Sequence, residues 1–389
     1  MKKFKKKLIN SIFALERYVE SVNLKGYEPF DGLSSPLRSL TFGNLFCERL
    51  LQQLVRQSPI NLRPLVGVKP LDSTKGRGYL SWGWINMYKI YNDEVYREKA
   101  IESLAWLDEN KSPMYKHHSW GNHFEYSFRG GRIPKYEPTI VWTSLIGQVF
   151  LEAYELFKIP RHLEVIESIR NWIISLSREN TSSGDCISYV AFEQRSIHNS
   201  NMLGAAFLAR AAKALKDDLY LDVAKSGMEY SCSRQLENGA WYYGHDQKYH
   251  WIDNFHTGYN LDSLKRYIDA TGDKTFNKNL KTGYEFFKNS FFELSGRPKY
   301  YHNRALPIDI QCASQAIDTL TLFSEYDQES LEIACKVASW TIGNMQDKDG
   351  HFYYRKYPLG ITAKAPMIHW AQATIFKAFT NLLLKYRNN

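Results

Sequence analysis

The sequence predicts an all-α protein, an (α/α)6 toroid in which inner and outer helices alternate around a ring. Helical stretches that begin with polar or aromatic residues recur at a period of roughly 55 residues. Most of these stretches are followed by a second amphipathic helix with a more polar face. Strand signals are confined to short aromatic pieces in the connecting loops. This pattern of about six helical hairpins is typical of a closed ring of helices.

The predicted inner helices share an opening of polar or aromatic residues, continued by small and apolar residues. They begin near Tyr79, Tyr136, Ser196, Asp253, Leu306 and Ala365. No helix follows the last of them, so we expect the N-terminal amphipathic segment to close the ring. The hairpins are continuous and leave no linker. We therefore predict one domain over residues 1–389, with residues 26–75 as a less regular segment that wraps one face.

The charge of the chain favours an anionic partner. The formal net charge is +9 at a length of 389 residues, and part of the excess lies in the first turn of "MKKFKKKLINSIFALERYVESV". Asn10, Glu16 and Arg17 interrupt the apolar run of this segment, and no small-residue cleavage site follows it. We therefore expect an amphipathic helix whose basic end is solvated or contacts an anionic membrane.

The cysteine pattern favours a reducing compartment. The five cysteines are scattered, odd in number and without CxxC spacing, which fits reduced thiols better than disulfides or a zinc site. No run approaches the roughly 18 apolar residues of a membrane span. The expected location is the cytoplasm, with a peripheral position at the inner face of the membrane as the alternative.

Several site classes lack their sequence signature. No HxxxH spacing predicts zinc, no GxSxG elbow predicts a serine hydrolase, and no glycine-rich loop predicts bound nucleotide. We therefore expect no metal, no cofactor and no nucleic acid partner. A terpene cyclase or prenyltransferase is disfavoured because the acidic DxDD motif is absent and no zinc site is found.

In such a ring the first turns of the inner helices and the long loops converge on one face, where a concave site is expected. The candidates for catalysis are His256, His198, Tyr259, Glu137, Asp253 and Asp309. The candidates for substrate binding are Trp142, Asn199, Asn201, Asn254, Arg129, Arg304, Trp241, His369 and Trp370.

The catalytic hypothesis rests mainly on three histidines. His198, His256 and His369 open three different hairpins near the same relative position, and helix capping does not require histidine. Asp253 and Asn199 have a simpler alternative role as helix caps, because a capping side chain by itself stabilises a helix by about 0.5–2 kcal/mol.

Two reaction types remain open. Proton transfer at a sugar carbon needs a base, an acid and a group that stabilises charge, for which His256, His198 and Tyr259 are suited. Asn254 or Asn201 would neutralise a uronate carboxylate, and arginines such as Arg129, Arg132 and Arg304 would bind anionic groups. Glycoside hydrolysis needs instead two carboxyl groups about 5–9.5 Å apart, drawn from Glu125, Glu137, Asp253 and Asp309.

Two loop pieces carry a broad resemblance. "QLENGAWYYG" and "NMQDKDGHFYYRKY" are similar to the Q-x-x-x-G-x-W/F motifs that tie successive hairpins in six-hairpin glycosidase-like toroids. That superfamily includes glycoside hydrolases, polysaccharide lyases and uronosyl epimerases. The motif is structural and implies the fold without assigning a reaction.

Four other stretches carry a narrower resemblance. "GYEPFDGLSSPL", "SPINLRPLVGV", "WIDNFHTGYNL" and "HWAQAT" resemble a bacterial family found with capsule and exopolysaccharide biosynthesis proteins. The resemblance extends over most of the chain and implies a setting, namely surface polysaccharide biosynthesis. It implies as partners an acidic polysaccharide or a lipid-linked oligosaccharide, and other proteins of polysaccharide assembly.

The sequence therefore favours a carbohydrate-active enzyme that acts on an acidic glycan, either an epimerase or lyase or a glycoside hydrolase. A non-catalytic glycan-binding or scaffold protein is the rival, in which aromatic residues stack on sugars and the histidines are structural. Two titratable groups close together in a pocket would favour the enzyme, and a shallow aromatic groove would favour the binder.

Overall fold

The computed structural model describes residues 2–128 and 131–388. The helices in chain order are α1 (Lys2–Ser21), α2 (Leu45–Gln57), α3 (Thr74–Tyr91), α4 (Glu94–Glu109), α5 (Ile140–Phe157), α6 (Pro160–Ser175), α7 (His198–Leu215), α8 (Leu221–Cys232), α9 (Asn254–Thr271), α10 (Asn277–Ser290), α11 (Ile310–Leu322), α12 (Gln328–Met345) and α13 (Thr374–Asn388). A π-helical turn, Ile368–Ala373, leads into α13.

The inner ring consists of α3, α5, α7, α9, α11 and α13. Each of these helices packs on the next, and α13 packs on α3, so that the ring closes. Five of them pack on the helix that follows in the chain, while α1 packs on α13 and α12. The predicted (α/α)6 toroid is confirmed, and the N-terminal helix closes it.

Closure by α1 uses its apolar face. Leu8, Ile12, Leu15 and Val19 are at most 1% exposed and belong to the main core. They recur at three- and four-residue spacing, which places them on one side of the helix. Since this face is buried against the ring, it is not available for a contact with a membrane.

Side-chain caps start several of the inner helices. Ser73 accepts a hydrogen bond from the Gly76 N–H at the start of α3, and Thr139 accepts one from the Trp142 N–H at the start of α5. The inner helices begin at the same face of the ring, because each hairpin returns the chain to that face through a long loop. The first turns of these helices therefore surround one central space.

Small residues let the inner helices approach closely. A Cβ at Gly83 of α3 would lie 2.3 Å from Phe376 Cδ1 on α13, and one at Gly147 of α5 would lie 2.4 Å from Phe207 Cε2 on α7. These distances are shorter than van der Waals contact. The small residues noted in the inner helices thus leave room for large neighbours in the core.

The Q-x-x-x-G-x-W/F motifs tie hairpins together. Gln235 Nε2 donates to the carbonyl oxygens of Gly239 and Asn279, both at 2.9 Å, which joins the end of α8 to α10. Gln346 Nε2 donates to the Gly350 carbonyl at 3.0 Å and the Ser11 carbonyl at 3.2 Å, which joins the end of α12 to α1. The second motif therefore secures the closure of the ring.

The strands are short and lie in the connections. They are Lys25–Gly26, Leu71–Asp72, Tyr126–Phe128, Gly131–Ile133, Arg178–Thr181, Gly184–Ile187, Ile308–Asp309, Arg355–Lys356 and Thr362–Ala363, in small antiparallel sheets. The segment between α1 and α3 contains α2 and two 3-10 turns, Asp31–Ser34 and Pro36–Thr41. It lies beside the starts of the inner helices.

One helix, α5, has the length and mean hydropathy of a membrane span, although no such run was expected from the sequence. Its mean hydropathy is 1.2 over 18 residues, and 67% of that stretch is buried inside the protein. As an inner helix it is enclosed by neighbours on most sides, so its apolar composition serves the core.

Candidate active site

A cavity of about 920 Å³ opens among the first turns of the inner helices. Its wall is rich in aromatic side chains, namely Phe30, Tyr126, Phe128, Trp142, Tyr189, Tyr243, Tyr249, Trp251, Phe255, Tyr259, Tyr300, Tyr301, Tyr357 and Trp370. Flat faces with polar edges suit stacking on sugar rings while the edges form hydrogen bonds.

The charge of the wall is strongly cationic. The basic side chains that line the cavity are Arg49, Arg56, Lys75, Arg195, Arg304 and Arg355, whereas Asp253 is the acidic side chain among the described lining residues. The N-termini of the surrounding inner helices add partial positive charge. The cavity therefore favours an anionic ligand.

His256 and Asp253 form a hydrogen-bonded pair at the wall. Asp253 Oδ2 lies 2.7 Å from His256 Nδ1, and Asp253 Oδ1 accepts a hydrogen bond from the His256 backbone N–H at 3.0 Å. A carboxylate at Nδ1 places the proton of a neutral imidazole there, which leaves the lone pair on Nε2. His256 Nε2 forms no hydrogen bond with the described residues, and His256 lines the cavity, so this nitrogen is available as a base.

Aromatic neighbours hold the pair in place. Trp251 Nε1 donates to Asp253 Oδ2 at 2.9 Å, and Tyr243 stacks on Trp251 with ring centroids 4.5 Å apart. Tyr243 also lies 4.5 Å from the imidazole of His256, between centroids. Asp253 is therefore both the cap of α9, as one reading of the sequence predicted, and a hydrogen-bond partner of His256.

Tyr259 lies one turn further along α9, toward the ring axis. Its hydroxyl accepts a hydrogen bond from Gln311 Nε2 at 2.9 Å and lies 3.2 Å from the Tyr79 hydroxyl. Burial raises the pKa of Tyr259 above its ordinary value, so the hydroxyl remains protonated near neutral pH. In that state Tyr259 is suited to donating a hydrogen bond or a proton rather than to acting as a base.

Lys75, in the first turn of α3, lines the cavity although the sequence analysis did not predict it as a site residue. It is 4% exposed and has no hydrogen-bond partner among the described residues. Its Nζ lies 4.6 Å from the ring centroid of Trp142 and 5.8 Å from that of Tyr259. Burial lowers the pKa of Lys75 to about 7, and Glu28 opposes this shift.

Asp309 was a catalytic candidate, but its carboxylate is fully engaged and does not line the cavity. Oδ1 accepts hydrogen bonds from the Gln311 N–H at 2.9 Å and from Trp370 Nε1 at 2.8 Å. Oδ2 accepts from Arg355 Nε at 2.8 Å and also from Nη2 of the same guanidinium. Asp309 therefore caps α11 and orients Trp370 and Arg355, which do line the cavity.

His198 lies outside the cavity wall. Its ring packs against Tyr230, with centroids 5.9 Å apart, and its Nδ1 lies 3.4 Å from Ser231 Oγ on α8. Burial lowers the pKa of His198 to about 3, which keeps the imidazole neutral. This position between the inner and outer helices gives His198 a packing role, and His198 does not belong to the candidate site.

Asn201 and Trp241 are also structural. Asn201 Oδ1 accepts from the Ile187 N–H at 3.0 Å, and its Nδ2 donates to the Gly227 carbonyl at 2.7 Å. Trp241 Nε1 donates to the Ser231 carbonyl at 2.9 Å. These bonds use both side chains to connect α7 and α8 with their loops, away from the cavity wall.

His369 is buried behind the wall. Its Nδ1 is hydrogen-bonded to Glu28 Oε2, and its ring meets that of Trp142 edge to face, with centroids 5.4 Å apart. Burial lowers the pKa of His369, and Glu28 opposes this shift. Neither residue lines the cavity, so the pair supports the wall from outside.

Some of the remaining candidates line the cavity, and others are buried outside its wall. Trp142, Asn199, Arg304 and Trp370 line the cavity together with His256, Tyr259 and Asp253. Glu137 does not, because its Oε1 accepts a hydrogen bond from the Tyr115 hydroxyl at 2.9 Å, away from the cavity. Asn254 is fully buried and also lies outside the wall.

Two arginine candidates have other outcomes. Arg129 lies outside the described residues. Arg132 is paired with Glu48, whose Oε2 lies 2.7 Å from Arg132 Nε, and Arg132 is not among the residues that line the cavity.

Sequence analysis missed most of the aromatic residues of the wall and also several charged residues, namely Arg49, Arg56, Lys75, Arg195 and Arg355 in the wall and Glu28 behind it. Lys75 occupies the second position of its inner helix, as Asn199 does in α7. An alignment of the two helix starts would therefore have identified Lys75 as a candidate. The arginines come from loops and from α2, where helical periodicity carries no signal. Among the described residues no group of three His, Cys, Asp or Glu side chains is placed to bind a metal.

Comparison with known proteins supports the fold. No family model and no curated protein sequence matches the chain. The solved structure of an unsaturated glucuronyl hydrolase specific for heparin is similar, with a TM-score of 0.64 at 14% identity, covering 97% of this chain and 96% of that chain.

Two further solved structures have the same architecture. Cellobiose 2-epimerase from Bacillus thermoamylovorans B4167 has a TM-score of 0.63 at 11% identity, covering 81% of this chain and 88% of that chain. The GH76 α-mannanase BT2949 of Bacteroides thetaiotaomicron has a TM-score of 0.61 at 13% identity, covering 81% of this chain and 87% of that chain. At these identities the likeness establishes the (α/α)6 fold.

Proposed function

We propose that this protein is a carbohydrate-active enzyme that transfers a proton at a carbon of an acidic saccharide, as an epimerase or a lyase does. The observation that carries the proposal is the His256–Asp253 pair, whose free Nε2 faces a large aromatic and cationic cavity. An Asp-oriented imidazole is a suitable general base near neutral pH. The similar structures of a cellobiose 2-epimerase and of an unsaturated glucuronyl hydrolase support a saccharide as substrate, and the name of the second supports an acidic one.

Hydrolysis by paired carboxylates is less well supported. Asp253 is the acidic side chain among the described lining residues, and its two oxygens already accept hydrogen bonds from Trp251 and His256. Glu137 and Asp309 lie outside the wall. A second carboxylate at the distance that glycoside hydrolysis requires is therefore missing from the described part of the cavity.

The chemical test is solvent exchange. Purified protein is incubated in D2O with a panel of uronate-containing oligosaccharides that differ in epimer and linkage, and the sugars are followed by NMR. We expect deuterium at the carbon next to the carboxylate, and about 10²–10⁴-fold slower exchange with His256→Ala. Full exchange by His256→Ala would contradict the assignment. Binding without any exchange would favour the rival, a glycan-binding or scaffold protein.

The biological setting belongs to the proposal as well. We infer a role in bacterial capsule or exopolysaccharide biosynthesis, on an acidic polysaccharide or a lipid-linked oligosaccharide and alongside other assembly proteins. The motif resemblance and the cationic cavity support this setting. Deletion of the gene, followed by compositional analysis of the surface polysaccharide, should change its uronic acid epimers or chain length. Complementation with the His256→Ala variant should fail to restore them.

A further inference from the structure

Lys75 is set apart from the other cations of the cavity by its surroundings. Arg355 is paired with Asp309, and Arg195 with Glu193. Arg49, Arg56 and Arg304 are partly or fully accessible to solvent. Lys75 is the lining cation that is both buried and without an ion pair or hydrogen bond among the described residues. An ammonium group carries three donors, and here none of them has an acceptor.

None of the described residues accepts a hydrogen bond from the Lys75 amine. From the segment that follows α1, Glu28 favours the charged form of Lys75 by its negative charge, but its Oε2 is bonded to His369 and its Oε1 forms no hydrogen bond with Lys75 or with any other described residue. From α3 and α9, Tyr79 and Tyr259 present ring faces at 5.6 and 5.8 Å, and their hydroxyls bond to each other. The open side of the amine is the cavity.

The ring places Lys75 opposite the catalytic pair. Along the closed ring α3 and α9 are separated by two inner helices on either side, so their first turns face each other across the cavity. Lys75 stands in the first turn of α3 and His256 in the first turn of α9. A sugar ring bound between them would present one group to each.

We infer that Lys75 is a further catalytic residue, which binds the carboxylate of the acidic sugar and holds it while His256 removes the proton from the neighbouring carbon. This inference rests on the proposed acidic substrate. A carboxylate supplies the missing acceptors through charge-assisted hydrogen bonds. It also explains why an amine is buried at the wall at a cost in solvation.

The chemistry balances without a co-reactant. His256 Nε2 removes the proton from the carbon next to the carboxylate, and the C–H electron pair moves into the carboxylate, whose charge rises from one to two. The Lys75 ammonium stabilises this added charge. Return of a proton to the other face of the carbon gives the epimer. Expulsion of the oxygen at the next carbon, which leaves with its bonding pair and is protonated, gives instead the unsaturated sugar.

Binding should be coupled to proton uptake. With a pKa of about 7, Lys75 is mostly neutral at pH 8 in the free protein. A carboxylate beside it favours the charged form, so the amine takes a proton from solvent as the sugar binds. Arginine in the same place would be charged throughout, and methionine would be uncharged throughout.

The experiment is calorimetric titration at pH 8 in two buffers of different ionisation enthalpy. The probes are a tetrasaccharide of alternating glucuronate and N-acetylglucosamine and its carboxyl-reduced counterpart, which differ only in charge. We expect the wild type to prefer the acidic probe about tenfold or more and to take up between about half a proton and one proton. Lys75→Met should lose the preference and the uptake, and Lys75→Arg should keep the preference without uptake. Lys281→Met, on the exposed face of α10, should match the wild type.

Equal affinity of the wild type for the two probes, failure to bind either, or an unchanged preference in Lys75→Met would overturn the inference. Thermal unfolding establishes that each variant is folded. His256→Ala separates this inference from the proposed reaction, since it should keep the preference and the proton uptake while losing exchange in D2O. If the wild type prefers the acidic probe and takes up protons but exchanges no deuterium on any probe, the carboxylate site is supported and the proposed reaction is contradicted.

Discussion

Asp253 combines two roles in one carboxylate. Oδ1 caps α9 by accepting from the His256 backbone N–H, and Oδ2 accepts from the ring of the same residue and from Trp251. The cap fixes the first turn of the helix, and the fixed turn determines where His256 Nε2 is directed. Capping and catalysis therefore need not be separate explanations for a polar residue at a helix start.

The two roles of Asp253 can be separated by a matched pair of variants. Asn is as good a cap as Asp, but its amide would no longer offer a carboxylate to His256 Nδ1. We expect Asp253→Asn to keep the stability of the wild type within about 1 kcal/mol and Asp253→Ala to lose about 0.5–2 kcal/mol. Both should lower the rate of exchange by about 10²-fold or more. Denaturant unfolding and D2O exchange measure the two effects, and wild-type exchange in Asp253→Asn would contradict the orienting role.

Lys75 should lower the stability of the free protein in a pH-dependent manner. Its folded pKa of about 7 lies below the value of about 10.4 for an unfolded chain. The unfolded chain therefore binds the proton more tightly, and the stability of the wild type rises as the pH increases from about 7 to about 10.

Lys75→Met removes this titration. We expect the variant to be more stable than the wild type at pH 7, by about 2–4 kcal/mol as an order of magnitude, and the difference to shrink toward pH 10. Thermal unfolding across this range measures it, with Lys281→Met as the control. If the difference in stability between the wild type and Lys75→Met stayed constant over this pH range, titration of the buried amine would not be its cause.

At the scale of the helix, one position changes the direction of a side chain by about 100°. His198 is the first residue of α7, His369 the second of its π-helical turn and His256 the third of α9. The three histidines looked equivalent in sequence because each lies near a helix start. The offsets direct His198 toward α8, His369 toward Glu28 and His256 toward the cavity.

His198 should therefore affect stability and not catalysis. Its folded pKa of about 3 lies below the ordinary value of about 6.5, so the stability that depends on its neutral form is lost as the pH falls from about 6.5 toward 3. We expect His198→Phe to keep the D2O exchange rate and to lose less stability over this range than the wild type does. Acid titration of denaturant unfolding measures the slope, and loss of exchange in a folded His198→Phe would restore a catalytic role.

At the scale of the molecule, the ring is closed by residues far apart in the chain. Gln346 joins the end of α12 to α1 through the Ser11 carbonyl and side chain, and the apolar face of α1 covers α13 and α12. The cavity depends on this closure, since Lys75 and His256 face each other only when the inner helices form a complete circle. Closure also buries the apolar face of α1 inside the protein.

Gln346→Ala should test the closure. It removes three partly buried hydrogen bonds and leaves the Ser11 and Gly350 groups without these partners, so we expect a loss of about 1–3 kcal/mol in the free energy of unfolding. Gln328→Ala, an exposed glutamine at the start of the same helix, is the matched control and should change little. Equal stability of the two variants in denaturant would show that the motif does not secure the ring.

The sequence by itself determined the repeat, the inner and outer assignment of the helices, and the closing role of the N-terminus. The repeat and the helix assignment follow from local periodicity, and the closing role follows from pairing the amphipathic N-terminal segment with the last inner helix. It also selected the segment that holds Asp253, His256 and Tyr259, because polar residues there exceed what a helix start requires.

Only the tertiary structure decided which of the candidate residues line the same cavity. The rotation of each inner helix, set by packing around Gly83, Gly147 and their large neighbours, turned His198 outward and Lys75 inward. Asp309 and Glu137 became supports because partners distant in sequence, Arg355 and Tyr115, satisfy them. Helical periodicity locates a residue along its own helix, but the direction of its side chain depends on how that helix packs against others, and a single sequence does not record this.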